Sequence, residues 1–185
     1  MREPAVLLLP GRGNAAAAHW ISHWEATSPT MQRVLQQEWH TPQCMDWVNT
    51  LMLHLEQRQT PAVLVAHSVA VALVNHTAQA WAQRHPQRPL PVKGALLVAP
   101  SDVESPSWPP GPVGFAPMPM QRLPFTTIVV ASTNDPRVAL ERAQCFAHAW
   151  GARLEMAGAL GHMGADSQLG SWPQGRAWLE ELLAA

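Results

Sequence analysis

The sequence predicts an α/β fold: a three-layer sandwich in which six mostly parallel strands form one sheet with helices on both faces. Three observations carry this. Six short apolar segments alternate along the chain with longer stretches of helical periodicity. The clearest of those segments, such as 5–9 and 62–66, are continuous apolar runs and not alternating ones, as strands covered on both faces require. Proline and glycine punctuate the boundaries between them.

The first strand is expected over residues 5–9, where Pro10-Gly11 ends it. Residues 19–27 read as a helix with Trp20 and Trp24 one turn apart, and 31–35 as a weaker strand. Thr41-Pro42 resembles an N-cap followed by proline at the first helical position, opening a helix to about residue 59 with Trp47, Leu51 and Leu55 on one face. Residues 62–66 form the clearest strand, and a helix follows from about Ser68 to Arg84. Strands are expected at 92–98, at 125–131, where β-branched residues dominate, and at 153–156. Pro136 opens a helix ending near Trp150-Gly151, and Pro173 opens the last one. Residues 100–124 hold seven further prolines after Pro100, so they suit neither a helix nor a central strand. This long loop leaves the C-terminal end of a strand, where open α/β sheets bind ligands, and reads either as a pocket wall or as a strap over a sheet edge.

Composition narrows the function classes. The 185 residues, 47% apolar and 14% charged, suit one compact domain over 1–185. A net charge of −1 without a basic or acidic run favours neither nucleic acid nor an anionic membrane as partner. The apolar run after Arg2 is too short for a secretory leader, and no stretch is long enough to span a bilayer. Cys44 and Cys145 form no disulfide framework or metal spacing, which points to a reducing, cytoplasmic setting.

The chemistry starts at V-L-V-A-H-S-V-A-V-A, residues 63–72. Ser68 ends a strand and opens a helix, so it is either a helix N-cap or a nucleophile on a sharp strand-to-helix turn. On such a turn the N–H groups of the following helix face the same space as the hydroxyl, favouring an oxyanion. The pattern is usually G-x-S-x-G; here the flanking positions are Ala66 and Ala70. A serine needs a base, and that base an orienting acid, in the order Ser…Asp…His. Asp135 follows the strand at 125–131, and His162 follows the strand at 153–156. Alone, Asp135 reads as a turn and cap, and His162 as a loop histidine. Their joint order and strand context select catalysis.

Asp102 rivals Asp135 as the acid, but the turn at Asp135 is tighter and its place more usual; Asp166 lies too near His162 in sequence. The loop Pro10-Gly11-Arg12-Gly13-Asn14 is expected to supply a second oxyanion donor, the backbone N–H of Arg12, beside that of Val69. It lacks the spacing and lysine of nucleotide-binding loops. His19 and His23 are four apart, but no third ligand accompanies them, so no metal is expected. His19, Trp20, Trp24, Trp108, Phe115 and Met163 are candidate pocket residues.

With these residues identified, the chain resembles the small single-domain serine hydrolases of the retinoblastoma-binding-protein-nine type, in the α/β-hydrolase superfamily. The resemblance lies in L-P-G-R-G-N with H-W-x-x-x-W at 19–24, L-V-A-H-S at 64–68, V-A-P-S-D-V-E at 98–104, and L-P-F-T-T-I-V-V-A-S-T-N-D-P. It continues through A-x-x-W-G at 147–151 and G-H-M-G-A-D-S-Q-L-G-S-W-P-Q-G. It implies a minimal α/β-hydrolase fold without a separate cap domain and a triad of Ser68, Asp135 and His162. The chain departs from the family at Ala70 and Gln168, where glycine is expected, and at Gly164, where G-H-x-N-A has asparagine.

The expected function is cleavage of a small-molecule ester or amide through an acyl-enzyme, without metal or organic cofactor. A histidine base implies activity that rises as the imidazole loses its proton. The alternatives are a binding protein that keeps the fold without turnover, and a flavodoxin-like nucleotide module using residues 11–14.

Overall fold

The computed structural model describes residues 4–185; Arg2, which entered the leader question, lies outside them. Six strands form one parallel sheet: β1 (Val6–Leu9), β2 (Met31–Arg33), β3 (Ala62–His67), β4 (Val92–Val98), β5 (Thr126–Ala131) and β6 (Arg153–Met156). Their spatial order is β2-β1-β3-β4-β5-β6. The chain starts one strand in from an edge, adds β2 outside β1, then crosses back over β1 to lay down the other four strands in order.

The pleat divides the apolar runs between two cores. Leu7, Leu64, Leu97 and Val129 face α2 (Cys44–Glu56), α3 (Ala70–Arg84) and α4 (Leu140–Trp150). Val6, Val63, Val65, Leu96 and Val130 face α1 (Trp20–Thr27) and α5 (Pro173–Ala184). Alternate residues of the central strands are therefore buried on opposite faces, which explains why β1 and β3 are continuously apolar. The edge strand β6 is half-exposed and carries ion pairs from Arg153 to Glu155 and Glu181, charges that discourage further strand pairing.

Two helices begin later than their proline signals. Residues 41–43 are extended because the long loop pairs with them: the Val113 N–H donates to the Pro42 carbonyl and the Cys44 N–H to the Val113 carbonyl, both at 2.9 Å. The helix thus starts at Cys44, and Thr41 is not its cap. After Pro136 the backbone forms a turn instead of a helix, because the Arg137 N–H donates to Asp135 Oδ1 at 2.8 Å; α4 starts at Leu140.

The loop over 100–124 forms part of a pocket wall and also contributes to the core. Trp108 and Pro109 face a cavity at the sheet's C-terminal edge, whereas Phe115 and Met118 are buried in the core on the α2–α3 side.

Candidate active site

Ser68, Ser101, Asp135 and His162 lie in the segments that follow the C-terminal ends of β3, β4, β5 and β6. The end of β3 sets the position of Ser68. Its φ is 62°, a left-handed conformation that costs a non-glycine residue on the order of 1 kcal/mol and persists where the surroundings enforce it. The Ser68 N–H donates to the Val98 carbonyl at 3.0 Å, which pins the turn to the neighbouring strand. The helix cap is Val69, without a side-chain hydrogen bond, so the N-cap reading of Ser68 falls.

Gly11 makes room for this turn. A Cβ there would lie 2.8 Å from Ser68 Cβ, 3.0 Å from the His67 carbonyl oxygen and 3.3 Å from Ser68 Oγ. The loop it belongs to is clamped further on. Asn14 Oδ1 accepts the Ala15 N–H and an Arg33 N–H, each at 2.8 Å, and Arg33 also pairs with Glu25.

His162 Nε2 lies 2.7 Å from Ser68 Oγ, and His162 Nδ1 lies 2.9 Å from both Asp135 oxygens. The side chain of Asp135 is 0% exposed, that of His162 22%. An ionised carboxylate only accepts, so Nδ1 carries the proton and Nε2 accepts from the serine hydroxyl. The arrangement can draw a proton from Ser68. Ser101, at the end of β4, lies 3.0 Å from Ser68 Oγ; since the Ser68 proton is committed to His162, Ser101 donates.

Two more imidazoles sit behind the relay. His67 Nε2 donates to the His162 carbonyl at 2.8 Å and thereby anchors the base's own backbone. Burial holds His67 well below the ordinary histidine range, with the His162 and His19 charges adding to the effect. His19 caps α1: its Nδ1 accepts the Ile21 N–H at 3.1 Å. Burial, then the charges of Arg33 and His162, lower its pKa from 6.5 to about 4. His23 is exposed on the helix, so the pair four apart is a cap and a surface residue. Among the described residues no three His, Cys, Asp or Glu side chains group as a metal site.

Ser68 and His162 open into a cavity of about 310 Å³, also lined by residues 11–14, His19, Val69, Ser101, Trp108 and Arg137. Of the expected pocket residues, His19 and Trp108 line it. Trp20, Trp24, Phe115 and Met163 do not; each is at most 1% exposed. Trp20 and Trp24 turn toward α5, pack on Trp172, and donate their indole N–H groups to the Met163 and Ser171 carbonyls. Phe115 packs edge-on against Trp47, on the opposite side of the sheet. Met163 lies in the core between the sheet and α5. Asp102 pairs with Arg142 at 3.3 Å, not with His162.

Ser101, His67 and Arg137 escaped the sequence reading. Ser101 adjoins Asp102, whose carboxylate drew attention instead. Ala99, with φ 48°, turns the chain so that Ser101 meets Ser68, and no residue type announces that bend.

The fold has counterparts among solved structures. A YdeN-like hydrolase from Pectobacterium atrosepticum shares 28% identity at a TM-score of 0.83, over 98% of this chain and 91% of that one. The ydeN gene product of B. subtilis shares 18% identity at a TM-score of 0.73, over 98% and 100%. Est1E from Butyrivibrio proteoclasticus shares 10% identity at a TM-score of 0.69, over 100% and 90%. No curated protein matched significantly. Residues 6–181 match the serine hydrolase family, a span that takes in every strand of the sheet and all the loops around Ser68. The chain therefore has an α/β-hydrolase fold and belongs to the serine hydrolase family.

Proposed function

We propose that the protein cleaves a small ester or amide through an acyl-enzyme on Ser68. The observation that carries this is the continuous hydrogen-bond relay from Ser68 through His162 to a fully covered Asp135. Ser68 Oγ attacks the substrate carbonyl carbon while its proton passes to His162 Nε2. Asp135 fixes the tautomer and stabilises the imidazolium. The tetrahedral oxyanion lies toward the backbone N–H groups of Arg12 and Val69; both residues line the cavity, and among the described residues neither N–H donates to a protein acceptor. The carbonyl re-forms as His162 returns the proton to the leaving alcohol or amine. Water then attacks the acyl-enzyme with His162 as base, releasing the acid and restoring Ser68.

The departures from the retinoblastoma-binding-protein-nine pattern fit this reading. Ala70 is buried at the start of α3 without displacing Ser68, and Gly164 faces the cavity with nothing within 4 Å of a would-be Cβ. A glycine in place of asparagine widens the pocket and leaves the relay intact. Both cysteines are free, which suits the cytoplasmic setting we infer. The test is hydrolysis of 4-nitrophenyl esters by the intact chain and by Ser68→Ala. A loss of roughly 10⁴-fold in kcat supports the assignment. Retention of near-parental activity overturns it and favours binding without turnover.

A further inference from the structure

The charged side chains at the cavity beside Ser68 are of one sign. Arg12 and Arg137 stand at it, and no aspartate or glutamate does. Among the described residues neither guanidinium has a carboxylate within 4.0 Å, although Arg33, Arg142 and Arg153 each do. Arg12 is held in place by its Nε, which donates to the His40 carbonyl at 2.7 Å and leaves its terminal nitrogens unengaged. The backbone of Arg137 is pinned on both sides: its N–H donates to Asp135, and its carbonyl accepts the Asp102 N–H at 3.1 Å.

Two neutral side chains at the cavity also present donors. His19 uses Nδ1 as the acceptor for Ile21, so its proton sits on Nε2. Asn14 spends its carbonyl oxygen on Ala15 and Arg33, which leaves its amide N–H groups. Asp135 is screened behind His162, and Asp166 lies in an adjoining groove beyond it. A chain of net charge −1 thus concentrates unpaired positive charge at its reactive serine.

We infer that the substrate carries a carboxylate, gripped by Arg12 and Arg137 at the cavity rim while its scissile carbonyl lies at Ser68. This rests on the hydrolase reading of Ser68. A guanidinium fork matches a carboxylate, and charge-assisted hydrogen bonds at a partly open rim are strong enough to select it.

Two matched pairs test the inference. One is mono(4-nitrophenyl) glutarate against its neutral methyl ester, with the charge on the acyl side. The other is 4-carboxyphenyl butyrate against its methyl ester, with the charge on the leaving group. In at least one pair kcat/KM is expected to favour the anion by about tenfold, and the preference to fall toward unity in an Arg12→Gln/Arg137→Gln double variant and in high salt. A ratio at or below one in both pairs, or a preference unchanged in the double variant, overturns the inference.

Calorimetry on Ser68→Ala with glutarate and neutral glutaramide separates this from failure of the hydrolase reading. Tighter binding of glutarate, lost in the arginine variants, supports the anion site even if no ester turns over. Equal or absent binding of the two overturns it. A Ser68 inert to fluorophosphonate overturns only the hydrolase reading.

Discussion

At the scale of single residues, the site depends on space being left open as much as on groups being present. Gly11 lies where a Cβ would press on Ser68 Cβ at 2.8 Å, against a turn that is itself strained. Gly11→Ala is expected to lower kcat on the order of 10²-fold, more than it changes KM, because it displaces the nucleophile and not the substrate. Asp135→Asn keeps the shape but offers an amide to Nδ1, which favours the tautomer with the proton on Nε2, facing Ser68. A loss in kcat of roughly 10⁴-fold, without a matching fall in melting temperature, is the expected result. Ser68, Asp135 and His162 were legible because Ser68 follows β3 at once and the other two lie in the short loops that leave β5 and β6. Of the expected pocket tryptophans, Trp108 does line the cavity, whereas Trp20 and Trp24 do not. The one-turn spacing of Trp20 and Trp24 put them on a common face, and only the position of α5 determined that this face is interior.

At the scale of elements, the strands were the most legible part, since continuous apolar runs leave few other uses. Helix starts were less so. Thr41-Pro42 carries a sound local signal, yet its backbone groups are engaged by Val113, far along the chain. The W-P-x-G sequence before α5 has a packing reason visible only in three dimensions: a Cβ at Gly175 would lie 2.2 Å from the Trp172 ring. The end of α4 was readable because Gly151 takes a left-handed φ of 68° as its C-cap. Gly151→Ala is expected to cost about 1–2 kcal/mol from the backbone alone. It also crowds Arg122, whose flexible side chain can move aside. Differential scanning calorimetry should show a lower melting temperature with esterase kcat nearly unchanged, since α4 ends where β6 begins, at the edge of the sheet opposite the strand C-termini where Ser68 lies.

At the scale of the molecule, two buried imidazoles connect the site to global stability. Unfolded histidine takes up a proton as pH falls through about 6.5, whereas folded His19 resists until about 4, and buried His67 is also held well below the ordinary range. Between those values the unfolded chain binds more protons than the fold, so stability is full above about 6.5 and declines on acidification. His19 alone contributes a loss on the order of 3 kcal/mol across that window. His19→Asn, whose Oδ1 takes the place of Nδ1 as acceptor for Ile21, should lessen the dependence of urea midpoint on pH between those limits; an unchanged slope contradicts the assignment. None of this was legible from sequence, because both histidines look like polar residues beside loops until the sheet, α1 and the 161–164 turn close over them.

The central claim is that Ser68 is activated by His162. Labelling with a fluorophosphonate, followed by intact-mass measurement and peptide mapping, tests it most directly. One adduct is expected, on Ser68, absent from Ser68→Ala and strongly slowed in His162→Ala. An unlabelled chain, an adduct on another residue, or labelling of Ser68 at an undiminished rate without His162 would contradict the account.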